Sequence, residues 1–316
     1  MNKLEMTSKI REIIETDTNC GVEIYVCLKN DEQVFYIEKM VSRNELKDRV
    51  RAIVLDVLRE QYLDDDAEYG DISDVIDNKK MVYVLEQSEE YCPFSTLGDN
   101  LDVISTFEEK NIERVLGFIF KINLNSKKIF AYQQAYVGSR LQAKNVLRIM
   151  QKEDVFQIVE KEMLKIDKRV ELVIVDNTIL VRNVKVLQDY FGFQLFVRNQ
   201  AQSVISKLEE LDILGDIDVL KECQNGEKLT ISKKLMKIKN SPVLEMDKDE
   251  LIRKIPLIPR YRGIIHIEDG KIRTSTKKDV DNLLKLLNDD IVKSELTDKE
   301  YDSTSKILLN SETEVK

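Results

Sequence analysis

Residues Gly117–Gln134 read GFIFKINLNSKKIFAYQQ, two strand-like runs, Gly117–Leu124 and Lys128–Gln134, on either side of the turn residues Asn125, Ser126 and Lys127. Polar turn residues between two β-prone runs predict an antiparallel hairpin. The same pattern recurs on both sides of it. Val22–Leu28 and Gln33–Ile37 flank Asn30, Asp31 and Glu32; Glu171–Val175 and Ile179–Arg182 flank Asp176–Thr178; Ile264–Ile267 and Ile272–Thr274 flank Asp269 and Gly270. Helical periodicity falls between them. Leu46, Val50, Ile53, Val54, Val57 and Leu58 predict a helix opened by Ser42, with Glu45 closing a capping box. Further helices are predicted at Val184–Phe191, Ala201–Leu211, Ser232–Lys239, Lys248–Lys254 and Lys277–Leu287. Hairpins interleaved with helices, without regular βαβ alternation, predict an α+β fold: two α/β bodies of antiparallel hairpins and packed helices, an N-terminal domain at 1–111 and a second at 112–316.

Composition removes several function classes. In 316 residues there are 4 Cys, 1 His and no Trp. The cysteines form no Cys-x-x-Cys, and a lone His266 in a strand-like alternation leaves zinc, haem and Ser-His-Asp chemistry without partners. Phosphate-loop, dinucleotide, zinc-protease and nucleophile-elbow signatures are absent. No catalytic residue, metal or cofactor is expected. Asp99, Asp102, Glu108 and Lys110 are the one carboxylate–lysine set that a metal-dependent nuclease could use, but they precede the strand that would have to hold them. The acids at Asp64, Asp65, Asp66, Glu68, Asp71, Asp74 and Asp77 miss the calcium-loop spacing, since Gly70 falls one place late and Val75 stands at the closing position.

The formal net charge is −9, yet it is segregated. Residues 1–110 carry 13 basic and 26 acidic side chains, and residues 228–278 carry 14 and 6. Local patches govern recognition of charged partners more than net charge does. Between Glu113 and Glu153 there is no acid, and cations alternate with aromatic and amide groups. Strand alternation places Lys128, Phe130, Tyr132 and Gln134 on one face, a combination suited to phosphate contact and base stacking. Arg140, Lys144 and Arg148 follow at four-residue spacing, one stripe of a short helix. The second basic stretch centres on Lys233, Lys234 and Lys237. These eight residues, Lys128, Tyr132, Arg140, Lys144, Arg148, Lys233, Lys234 and Lys237, form the candidate DNA-binding set. Asp64, Asp65, Asp66 and Glu68 form a candidate counter-surface for a basic partner.

A family resemblance adds to this reading. Val-Ile-Val-Asp-Asn at 173–177, Asp189-Tyr190-Phe191, Lys233-Lys234-Leu235-Met236-Lys237-Ile238, Leu286-Leu287-Asn288-Asp289-Asp290, Ser294, Leu296-Thr297, Tyr301 and Ser305-Lys306 resemble the KwaB family of the Kiwa anti-phage defence system. These are apolar and turn positions with no catalytic signature among them. The resemblance implies a homodimeric cytoplasmic effector that binds phage DNA and inhibits phage replication, held at the inner membrane by the multi-pass protein KwaA. It supplies no catalytic residues and no motif for the DNA surface, so the residues above rest on the charge map. A metal-dependent nuclease and a protein-interaction scaffold are the alternatives. No apolar run is long enough to span a bilayer, so direct insertion is not expected and the membrane is reached only through a partner.

Overall fold

A computed structural model describes residues 3–15, 21–30, 35–72, 81–88, 90–93, 105–124, 127–136, 140–141, 149–152, 155–158, 163–226, 228–239, 241–289, 291–293, 296 and 300–302. The fold is α+β, and the chain divides into two compact units, 1–192 and 193–316.

The first unit contains α1 (Lys3–Glu15), β1 (Gly21–Lys29), β2 (Phe35–Met40), α2 (Asn44–Val57), β3 (Glu68–Asp71), β4 (Met81–Glu86), β5 (Val115–Leu124) and β6 (Lys127–Gln134). Short strands β7 (Arg140–Leu141), β8 (Ile149–Lys152), β9 (Val155–Ile158) and β10 (Met163–Leu164) follow, then β11 (Leu172–Val175), β12 (Thr178–Val181) and α3 (Val184–Tyr190). Eight strands form one sheet in the order β2-β1-β5-β6-β11-β12-β4-β3, antiparallel except for the parallel β3–β4 pair. The three hairpins expected in this unit are all present, as β1–β2, β5–β6 and β11–β12.

The expected boundary at 111/112 is not where the chain divides. β1 pairs with β5 from Gly21↔Asn123 to Leu28↔Val115, so the N-terminal hairpin is built into the sheet that the later hairpins continue.

One sheet face packs on helices. Ile10 and Ile14 of α1 and Val50, Val54 and Val57 of α2 share a core with Ile24, Val26 and Leu28, with Phe118 and Phe120, and with Val173 and Val175. These strand positions alternate, as period-2 geometry requires. β11 and β12 are buried at every position, because their other face is covered too. Tyr132 there meets Phe191 edge-on at 5.0 Å between ring centroids, and Phe35 meets the same ring at 5.5 Å. α2 begins one residue later than expected, with Arg43 as N-cap and no side-chain cap; Ser42 Oγ is buried without a hydrogen-bond partner among the described residues, so the capping box does not form.

The second unit packs α4 (Phe193–Leu211), α5 (Asp218–Gln224), α6 (Thr230–Ile238), α7 (Lys248–Lys254) and α8 (Lys277–Leu287), with the hairpin β13 (Ile267–Glu268)–β14 (Lys271–Ile272) and the pair β15 (Ile291–Lys293)–β16 (Glu300–Asp302). Val204, Leu208, Leu220, Leu235, Leu251, Leu283 and Leu287 lie in one core. α4 starts eight residues before the expected Ala201, since Phe193 and Val197 continue its apolar stripe backwards. α8 has the capping box that α2 lacks: Thr276 Oγ1 accepts from the Asp279 N–H, and the Asp279 carboxylate accepts from the Thr276 N–H. The Asp269-Gly270 turn has φ of 51° and 72°, the left-handed pair that a two-residue hairpin needs.

Candidate nucleic-acid interface

α6 has the sequence TISKKLMKI. Ser232, Leu235 and Ile238 recur every three residues and are buried, which leaves Lys233, Lys234 and Lys237 on the half-exposed remainder of the helix. Lys234 pairs with Asp281 of α8 at 2.9 Å, and Lys239 just beyond the helix donates to Gln200 Oε1 of α4 at 2.6 Å. Lys233 differs from both. Burial lowers its affinity for its proton, and among the described residues no carboxylate raises it. An anion arriving there would restore what desolvation costs the ammonium.

Several other cations of the basic stretch are already paired. Asp212, in a left-handed conformation at the end of α4, holds Lys248 at 3.1 Å and Lys271 at 2.6 Å, and both hydrogen bonds keep its carboxyl below the usual range. Arg273 pairs with Glu268 and Lys254 with Glu250. Much of the local excess of positive charge is therefore spent on tying the second unit together.

In the first unit the expected set changes more. Register confirms that Lys128, Phe130, Tyr132 and Gln134 share a face, but that face is interior at Tyr132, which is fully buried against Tyr190 and Phe191. Its hydroxyl donates to the Leu116 carbonyl at 3.4 Å. A stacking role is excluded by position; the ring is core. Gln134 donates to the Tyr190 hydroxyl at 3.0 Å, and only Lys128, near the hairpin end, is exposed. Arg140 lies in β7, paired with β10, and not in a helix. Lys144 and Arg148 lie outside the described residues.

Lys121, counted with that basic stretch, is 5% exposed and pairs across the strands with Glu23 at 3.0 Å; Lys39 reaches the same carboxylate at 2.7 Å and the Tyr25 hydroxyl donates to it at 3.1 Å. Burial disfavours the Glu23 carboxylate, but the two lysines outweigh it and hold its pKa at about 2, against an ordinary 4.5. A depressed acid stabilises the fold fully above its unfolded value and loses that stabilisation as pH falls. The advantage of the parent over Glu23→Gln in denaturant midpoint should thus be constant above about pH 4.5 and shrink towards pH 2; a pH-independent gap would disprove the linkage. The sequence offered no sign of this cluster, because an inward acid and an inward lysine become partners only through the β1–β5 register.

Asp64, Asp65, Asp66 and Glu68 are all exposed. The Asp66 N–H donates to Asp64 Oδ1 at 3.1 Å in an Asx turn, and Glu68 opens the edge strand β3. A small, open pocket of about 60 Å³ beside them is lined by Glu60, Gln61, Asp64, Asp66, Ala67 and Arg182. Of the carboxylate–lysine set, Glu108 pairs with Lys110 at 2.5 Å, and Asp99 and Asp102 lie outside the described residues. His266 is exposed just before β13. Among the described residues no group of three or more His, Cys, Asp or Glu is placed to hold a metal ion, and no helix is long and apolar enough to cross a membrane.

Fold and charge together define the class: an α+β protein whose candidate site is a set of half-exposed cations on a helix. Residues 112–297, more than half of the chain, match the family described as Kiwa protein KwaB-like, and the chain belongs to that family. A 149-residue stretch is 27% identical to Kiwa protein KwaB of Escherichia coli O55:H7 (strain RM12579 / EPEC), covering 46% of this chain and 47% of that relative. The match thus spans about half the length of the relative. No solved structure matches the chain.

Proposed function

We propose that the chain is a non-catalytic, DNA-binding effector of Kiwa anti-phage defence, which recognises the phosphate backbone without reading base sequence. The observation that carries this reading is the lysine face of α6, where Lys233 is desolvated with no carboxylate among the described residues to offset it. The family supports the defence role, and the charge segregation supports a polyanion as partner. An electrophoretic shift series on duplex and single-stranded DNA is the direct test. Binding should persist in chelator and should fall about tenfold or more between roughly 50 and 200 mM salt. Magnesium-dependent loss of supercoiled plasmid would instead support the nuclease. The scaffold reading has its own support in the paired Lys248, Lys254, Lys271 and Arg273, and absence of any shift at low salt would favour it.

The proposal includes recruitment of a homodimer to the inner membrane by KwaA. The exposed Asp64–Glu68 segment supports it, because cytoplasmic loops of membrane proteins are rich in Lys and Arg. Co-expressed with KwaA, the chain should sediment with membranes in larger amount than when expressed alone, and changing Asp64, Asp65, Asp66 and Glu68 to Asn or Gln should return it to the level of the chain alone. Unchanged co-sedimentation would move the docking surface elsewhere.

A further inference from the structure

Between Glu250 and Glu268 the chain has no acidic side chain, while Arg253, Lys254, Arg260 and Arg262 are basic. This stretch folds as a knuckle of consecutive tight turns after α7: 3-10 turns at Ile255–Leu257 and Pro259–Tyr261, then hydrogen bonds from the Ile264 and Ile265 N–H groups to the Tyr261 carbonyl at 3.1 and 3.0 Å. Leu251, Ile255 and Tyr261 are buried and pin it to the core of its unit. Pro256 and Pro259 fix its backbone, so a surface it presents is ordered before any partner arrives.

What it presents is both apolar and cationic. Leu257 is 70% exposed and Ile264 40% exposed, with Pro256 and Pro259 also exposed. Arg253 and Arg262 are exposed and have no ion-pair partner among the described residues, in contrast to Lys254, which pairs with Glu250 at 2.7 Å. Single exposed apolar residues are ordinary; here two large ones fall within eight residues, in a stretch of rigid turns that also carries two unopposed arginines.

We propose that this knuckle is a contact surface for anionic phospholipid headgroups, with Arg253 and Arg262 on the phosphates and Leu257 and Ile264 at the acyl boundary. Nucleic acid fits it less well: the aromatic ring that could stack on a base, Tyr261, is buried, and duplex DNA would take up Leu and Ile side chains only at the cost of unstacking base steps. An anionic bilayer offers phosphate and hydrocarbon at adjacent depths. The acidity of residues 1–110 does not decide the matter, since charge is screened within about 8 Å at physiological salt and the local patch dominates. The inference stands whether or not the chain binds DNA.

The test is sedimentation of the full chain, without any partner, with phosphatidylglycerol-containing vesicles and with pure phosphatidylcholine vesicles. Partition onto the anionic vesicles should exceed that onto the neutral ones by at least about fivefold per contacting arginine. Arg253→Glu with Arg262→Glu should abolish that preference. Leu257→Gln with Ile264→Gln should lower partition about tenfold or more, whereas Leu195→Gln, an equally exposed leucine on α4, should change nothing. Equal sedimentation with both vesicles, or a Leu257/Ile264 double variant that sediments like the parent, overturns the proposal. So does a charge-reversed variant that loses its DNA shift from a parent that never sediments, which would make the knuckle a nucleic-acid surface.

Discussion

Changing Lys233, Lys234 and Lys237 together to Glu should weaken duplex DNA binding on the order of 100-fold at moderate salt and flatten its salt dependence by about 0.9 in log–log slope for each phosphate no longer neutralised. The three side chains sit on the half-exposed side of α6, so the change reverses six units of charge without touching Leu235 or Ile238 beneath. Lys234 loses its pair with Asp281, an exposed pair of the kind that contributes about 1 kcal/mol or less. The thermal transition should therefore barely move while binding collapses, and the Lys→Arg triple should keep both. Lys233→Glu alone should have a larger effect than Lys234→Glu alone, because Lys234 has a carboxylate partner already. If the triple variant binds as the parent does, α6 is a solvated face and the DNA reading loses its principal support.

Tyr132→Ala should destabilise the first unit by about 3–5 kcal/mol, the cost of emptying an aromatic position in a close-packed core. Tyr132→Phe should cost only about 1 kcal/mol, since the hydroxyl makes one long hydrogen bond, to the Leu116 carbonyl. The neighbouring Gly117→Ala tests the same packing from the other side. A Cβ there would stand 2.5 Å from the Tyr132 hydroxyl oxygen and 2.6 Å from the Gln133 carbonyl oxygen, so the β5 and β6 backbones would have to part. Overpacking of that kind costs roughly 1–3 kcal/mol or more. Denaturant melts of the three variants separate the two readings of Tyr132. A surface stacking residue would give a melt within about 0.5 kcal/mol of the parent and a loss of DNA affinity; a core residue gives the reverse order of effects.

Much of the fold was legible in local pattern. The hairpins at 21–40, 115–134 and 172–181 and the helices α2, α3, α6, α7 and α8 follow from turn residues and apolar spacing, because hairpins and helices are closed by hydrogen bonds between sequence neighbours. α6 was placed, and its lysine face with it. The short edge strand β3 and the helix α5 carry too few apolar residues to show a period.

What the tertiary structure alone decided was which strands meet and which faces close. Alternation correctly grouped Lys128, Phe130, Tyr132 and Gln134, yet two faces of a strand are equivalent until something packs on one of them. Phe191, some sixty residues on, closes over Tyr132 and turns an expected binding residue into core. The β1–β5 pairing made Lys121 the buried partner of Glu23 and joined the N-terminal hairpin to the main sheet. Asp212 drew Lys248 and Lys271 out of the basic count, while Lys233 kept a half-buried ammonium with no carboxylate beside it among the described residues. The sequence by itself determined how much charge of each sign the chain carries and on which local elements; long-range pairing decided which of those charges cancel, because a Coulomb partner is set by distance in space and not by separation along the chain.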